Sequence, residues 1–113
     1  MLTNTAPVAT NAVKTDIIDI TAGNGYTAGG TAATITSATQ TSGTFKWVLG
    51  SVVFTCSAAT IGPFRYVALY NSTQTTPVAP LIGWLDYGAA VTLNPTETFT
   101  VSFDATNGVL TLA

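Results

Sequence analysis

The sequence predicts an all-β protein, an antiparallel β-sandwich or jelly-roll-like barrel of about eight short strands. Three observations predict it. About one residue in five is threonine, with valine, isoleucine, tyrosine and phenylalanine also well represented, and these side chains fit a pleated, half-buried surface. Apolar residues recur with a period of two in several short runs, and no window carries a convincing 3.6-residue period. Turn residues separate the runs at regular intervals, the spacing of sandwiches and barrels.

Residues 1–15 contain Pro7, many Thr, Ala and Asn, and little patterning. They are expected to form an extended N-terminal arm outside the core, either frayed or added as a strand to a neighbour's sheet edge. Residues 16–113 are expected to form a single β domain. Asp16 to Ile20 reads as a first short strand with Ile18 and Ile20 facing inward. Ala22 to Gly30 is a glycine-rich loop. It lacks both the Gly-Lys-Ser/Thr ending of a phosphate-binding loop and the G-x-G-x-x-G spacing, so its glycines are expected to serve turns. Tyr26 in its middle is a candidate surface contact or a tucked-in loop anchor. A weak strand over Thr31 to Ser37 and a turn over Gln40 to Gly43 come next. A strong strand then places Phe45, Trp47 and Leu49 on one face. Gly50-Ser51 is a hairpin candidate, with Val52 to Cys56 returning antiparallel.

The chain is organised around Gly62 to Gly88. In GPFRYVALY, Phe64, Tyr66, Ala68 and Tyr70 alternate with Arg65, Val67 and Leu69. In LIGWLDYG, Leu81, Gly83, Leu85 and Tyr87 alternate with Ile82, Trp84 and Asp86. Apolar residues on both faces predict two strands in the middle of a packed sheet. Arg65 is the sole arginine, and Asp86 is its candidate partner. Facing each other, they would form a partly buried pair that fixes register. Ala89 to Leu93 is a further short strand and Asn94 to Glu97 a turn. Thr98 to Asp104 points Phe99, Val101 and Phe103 inward. Asn107-Gly108 is a turn leading to Val109 to Leu112, which is expected to close a terminal hairpin.

Composition excludes several function classes. The 113 residues are 47% hydrophobic and only 7% charged, with a net charge of −2. Typical soluble domains carry about 25% charged residues, so a surface this poor in ions suits a protein covered by copies of itself or by a large partner. Lys14, Lys46 and Arg65 are scattered and form no basic stripe, so no nucleic-acid partner is expected. The uncharged run from Trp47 to Phe64 is broken by Gly50, Ser51, Ser57, Thr60, Gly62 and Pro63. It reads as strands and a turn, and no membrane association is expected. MLTNTAPVATNAVK shows no basic or apolar region of a secretory signal. The lone Cys56 is expected to be a buried small hydrophobe.

Histidine is absent, which removes the Ser-His-Asp and Cys-His arrangements and every His-containing zinc site. Asp16 and Asp19 would point to opposite faces of a strand. Asp86 and Asp104 are the one carboxylate pair worth checking for glycosidase-like chemistry. No catalytic residue, metal or cofactor is expected.

The runs AGNGYTAGG, IGPFRYVALYN, LIGWLDYG and ETFTVSFDATNGVLTLA resemble small virion proteins of tailed bacteriophages, and the resemblance extends over Asp16 to Ala113. It implies a head or tail component made in the host cytoplasm. One implied role is a capsid decoration or cement protein on the capsid surface. Such proteins often form trimers and hold neighbouring subunits of the major capsid protein lattice together. The alternative is a tail or fibre protein binding a host receptor or glycan. Trp84, Tyr87 and Tyr26 are the partner-contact candidates.

Overall fold

The structure, a computed structural model, describes residues 1–112. Its strands are β1 (Leu2–Thr3), β2 (Ile35–Thr41), β3 (Thr44–Leu49), β4 (Val52–Thr55), β5 (Ile61–Tyr70), β6 (Leu81–Leu93), β7 (Thr98–Val101) and β8 (Leu110–Leu112), with one 3₁₀ turn at Lys14–Asp16. The all-β, antiparallel prediction holds. The sheets stay open, in the orders β1-β5-β6, β2-β3-β8 and β4-β7, and do not close into a barrel. Backbone contacts group the chain into two compact units. The first comprises Met1–Gly30 and Thr55–Glu97, the second Thr31–Phe54 and the chain from Thr98 onward.

The first unit is built on β5, whose two edges are both occupied. On one side β1 pairs antiparallel, Leu2 opposite Val67 and Thr3 opposite Tyr66. On the other β6 pairs antiparallel, from Leu81 opposite Tyr70 to Leu93 opposite Ile61, with shifts of register between. Phe64, Leu2, Ile61, Thr3 and Cys56 are the largest fully buried side chains. Burying a side chain the size of leucine or phenylalanine contributes about 1.5–3 kcal/mol. The expected free arm is therefore not what forms. Met1, Leu2 and Thr3 are buried in the sheet, and further on Lys14 N–H donates to the Ala79 carbonyl at 2.9 Å. Two strand residues are too few to show a period of two, which hid β1 from sequence pattern. Buried Thr3 is satisfied locally, its Oγ1 accepting from Thr5 N–H at 3.1 Å.

Asp16 to Ile20 is not a strand either. The Asp16 carboxylate accepts from the N–H groups of Ala12 and Val13 at 2.8 and 3.1 Å. Asp16 N–H in turn reaches the Val13 carbonyl at 3.0 Å. These bonds close a 3₁₀ turn, after which Ile17 is buried and Ile18 lies exposed, the reverse of the expected facing. Side-chain capture of backbone donors is the usual competitor of strand formation for aspartate.

The glycine-rich loop wraps the connection from β4 to β5. Asn24, at φ 57°, donates through Nδ2 to the Thr60 carbonyl at 2.7 Å, and its backbone carbonyl accepts from Ser57 at 2.8 Å. A Cβ at Gly25 (φ +103°) would overlap the Thr55 carbonyl oxygen. Gly23, Gly25, Gly29 and Gly30 all have positive φ, so the glycines serve turns as expected, and Gly25 also permits a close backbone approach.

In the second unit, β2 and β3 form a hairpin with Thr41 opposite Thr44. Ser42 and Gly43 between them both have positive φ, 49° and 85°, the requirement of a type I′ turn. Two other expected hairpins, at Gly50-Ser51 and at Asn107-Gly108, do not form. β3 has one edge on β2 and the other on β8, so β4 has no place beside it and pairs with β7 instead. At Gly50 the N–H turns to the Thr34 carbonyl at 2.8 Å. The C-terminal strand leaves β7 because the 104–108 loop redirects it. Asp104 accepts from Thr106 N–H at 2.7 Å and Asn107 N–H at 3.1 Å, and Val109 N–H then meets the Trp47 carbonyl at 2.7 Å. Val48, Leu49, Val52, Phe54 and Val101 are this unit's buried apolar residues; Phe99 and Phe103 are only half-buried.

Candidate binding surface

β6 ends its sheet, with β5 on one side only. The expectation that both central strands lie inside a sheet is met by β5 and not by β6. The two short strands expected over Leu81–Tyr87 and Ala89–Leu93 are one continuous strand of 13 residues. Its apolar side chains on both faces leave Ile82, Trp84, Leu85 and Tyr87 40%, 42%, 46% and 60% exposed. An edge strand also presents unpaired backbone donors and acceptors, and natural edges of this kind are normally short, bulged or charged. β6 is long and apolar, and its protection as an edge is limited to one charge, Asp86, and one bulge beside it.

Asp86 is held in place. Arg65 lies over the Tyr66 ring, its guanidinium carbon 5.3 Å from the ring centroid, and meets the carboxylate in a bidentate pair. Nε reaches Oδ1 at 2.8 Å and Nη2 reaches Oδ2 at 2.9 Å. Oδ1 also accepts from the Gly88 N–H at 2.7 Å. The pair forms as the sequence suggested, but its side chains are 39% and 42% exposed, so it is a surface pair and not a partly buried lock. Arg65, then the Gly88 N–H, hold the Asp86 carboxyl below the ordinary carboxylate range.

The geometry around Asp86 shapes the surface. Tyr66 pairs with Asp86 and Phe64 with Val91, so β6 carries several more residues than β5 between these points. The excess forms a bulge over Tyr87–Ala90, with Gly88 at φ 95°. Tyr87 sits between the residue that binds Arg65 and the glycine whose N–H binds Asp86. A bulge re-aims a side chain, and here the aromatic ring it presents is largely exposed.

The three predicted contact residues therefore separate. Trp84 and Tyr87 lie exposed on β6. Tyr26 does not belong with them: it is 3% exposed, its hydroxyl accepts from Leu2 N–H at 3.0 Å and donates to Asp19 Oδ1. Burial, then the bond to Asp19, push its phenol above the ordinary tyrosine range. Tyr26 anchors the loop, the second of the two roles the sequence allowed. Ile82 and Leu85 join the surface without having been singled out, because period-two patterning cannot distinguish a central strand from an apolar edge.

The chain matches no protein-family model, no curated protein and no solved structure. The candidate acid pair has other roles. Asp86 serves Arg65 and the bulge. Asp104 is held below the ordinary carboxylate range by the Asn107 N–H, the Asn107 side chain and the Thr106 N–H. Neither carboxyl is raised, as a glycosidase general acid must be. Cys56 is 1% exposed, as expected of a small hydrophobe. Among the described residues no helix is long and apolar enough to cross a membrane.

Proposed function

We propose that this chain is a structural protein of a tailed-bacteriophage virion. In this reading it is a capsid decoration protein that binds the assembled head through β6. The observation that carries the binding reading is the β6 edge, where Ile82, Trp84, Leu85 and Tyr87 stand exposed in a chain with 7% charged residues. Aromatic side chains at the centre of a patch with a polar rim are the usual anchors of protein interfaces. The phage setting rests on the likeness of AGNGYTAGG, IGPFRYVALYN, LIGWLDYG and ETFTVSFDATNGVLTLA to small virion proteins. The mechanism is passive. Many copies, as homo-oligomers with a trimer favoured, bridge neighbouring capsid subunits, and binding the assembled shell alone stabilises it by mass action.

The test is co-sedimentation of the purified protein with phage heads and, separately, with tails. The reading expects the protein on heads, at many copies per particle, with a raised temperature of shell disruption. A Trp84→Ser/Tyr87→Ser variant should remain folded and stay in the supernatant. Binding to tails alone would move the protein to the tail. A protein that binds neither structure would overturn the reading.

A further inference from the structure

A second site lies away from the β6 edge. The segment around Lys14 and the loop after β5 enclose an open cleft of about 460 Å³, lined by Val13, Lys14, Thr15, Tyr70, Ser72 and Val78 among others. Small-molecule sites run from about 300 to 1,000 Å³. The walls are tied together through the backbone. Lys14 N–H donates to the Ala79 carbonyl, Leu81 N–H to the Ala12 carbonyl and Asn71 N–H to the Pro80 carbonyl, each at 2.9 Å. Tyr70 is fixed by its hydroxyl, which donates to the Gly29 carbonyl at 2.8 Å.

Lys14 is the unusual residue. It is half-buried, and its ammonium stands 5.6 Å from the centroid of the Tyr70 ring. Lysines are seldom fully buried unless paired, and Lys14 is partway there. Among the described residues no carboxylate lies within ion-pair distance of Lys14. Its acidic neighbours in sequence are engaged elsewhere, Asp16 with the N–H groups of Ala12 and Val13, Asp19 with Gly29 N–H and the Tyr26 hydroxyl. The N-terminal ammonium of Met1 donates to the Ala68 carbonyl at 3.0 Å, and the other two side-chain cations are also engaged. Arg65 binds Asp86, and Lys46 donates to the Thr106 carbonyl at 3.0 Å. Among the described residues Lys14 is thus the one side-chain cation left without an oxygen partner, and it lines a cavity that also holds an aromatic ring and hydroxyl groups.

We propose that this cleft binds a small ligand of monosaccharide size bearing one carboxylate, an acidic sugar of the uronic-acid class. The ligand carboxylate takes the Lys14 ammonium. The apolar face of the sugar ring lies against Tyr70 and Val78, and its hydroxyls reach Ser72 and Thr15. One ammonium balances a monoanion. A phosphate monoester carries about −1.5 to −2 at neutral pH and would leave charge unmatched. The site is independent of the proposed capsid role, and either can fail alone.

Titration with glucuronate tests it, followed by calorimetry and by the NMR shifts of Tyr70 and Lys14, with glucose and glucose 6-phosphate in parallel. Glucuronate should bind about tenfold more tightly than glucose and more tightly than the phosphate ester. Lys14→Gln should weaken glucuronate about tenfold and leave glucose unchanged. Val78→Asp, on an exposed loop residue, should repel the ligand without disturbing the fold, which covers the case of a poorly folded Lys14 variant. Absence of shifts with glucuronate, equal binding of glucose, tighter binding of the phosphate ester, or a folded Lys14→Gln or Val78→Asp protein that binds as well as the parent would each overturn the proposal.

Discussion

Two tyrosines and two ion partners show how burial sorts roles that look alike in one dimension. Tyr26 and Tyr87 both neighbour glycines. One accepts a buried backbone N–H from Leu2, and the other projects from a bulge. Replacing Tyr26 with Phe leaves the Leu2 N–H without that acceptor. An unsatisfied buried donor costs about 1–3 kcal/mol, so Tyr26→Phe should lower the urea midpoint clearly, and by more than Tyr87→Phe on its largely exposed ring. Arg65→Ala belongs with the second case. Its pair with Asp86 is solvent-screened, and exposed ion pairs contribute little, so the melting temperature should stay near the parent value. A large drop would show that the pair supports the bulge more strongly than its exposure implies. Three carboxyls give the acid limb of stability. Asp16 is held below 3.8, its usual value, by the Ala12 and Val13 N–H groups, Asp86 by Arg65 and Gly88, and Asp104 by Asn107 and Thr106. Each has a depressed folded value, so its contribution is complete above 3.8 and is lost as pH falls through that folded value. Urea midpoints should be flat near neutrality and fall below about pH 4. A midpoint unchanged down to strongly acid pH would remove these bonds from the ledger of stability.

At the scale of elements, local pattern was legible and pairing was not. The alternation in GPFRYVALY and TFTVSFD identified strands because those runs are long enough to show a period of two, although the second strand stops at Val101. Partner choice depended on backbone groups that no periodicity reports. The Gly50 N–H takes the Thr34 carbonyl, and Val109 N–H takes that of Trp47. Those two bonds send β4 and β8 to partners other than their nearest sequence neighbours. The binding surface was half legible for the same reason: Trp84 and Tyr87 stood out as aromatics, but β6 looked central because apolar residues fill both its faces. The glycine-rich loop offers a test that separates close approach from backbone conformation. Gly25 and Gly43 both have positive φ, but a Cβ at Gly25 meets the Thr55 carbonyl while one at Gly43 has nothing within 4 Å. Gly43→Ala should cost about 1–2 kcal/mol from the left-handed conformation alone. Gly25→Ala should cost more, and equal urea midpoints for the two variants would mean that the loop moves aside freely.

For the molecule as a whole, the scarcity of charge decides what kind of attraction any partner can feel. Eight formal charges are present, three basic and five acidic. Several are satisfied internally, with Arg65 on Asp86, Lys46 on Thr106 and Asp19 on Gly29. Little remains to steer a partner through long-range fields, which salt would screen beyond about 10 Å at 0.1 M. Apolar burial is not screened and is strengthened by excluded salts such as sulfate. The proposed binding to phage heads through Ile82, Trp84, Leu85 and Tyr87 should therefore survive from low to about 1 M salt, where the screening length falls to about 3 Å. Co-sedimentation across that series measures it. Retained binding in chloride, with a gain in sulfate, is the expected outcome. Release as chloride rises would mean that the head holds the protein through charge, and the β6 edge would no longer be its docking surface.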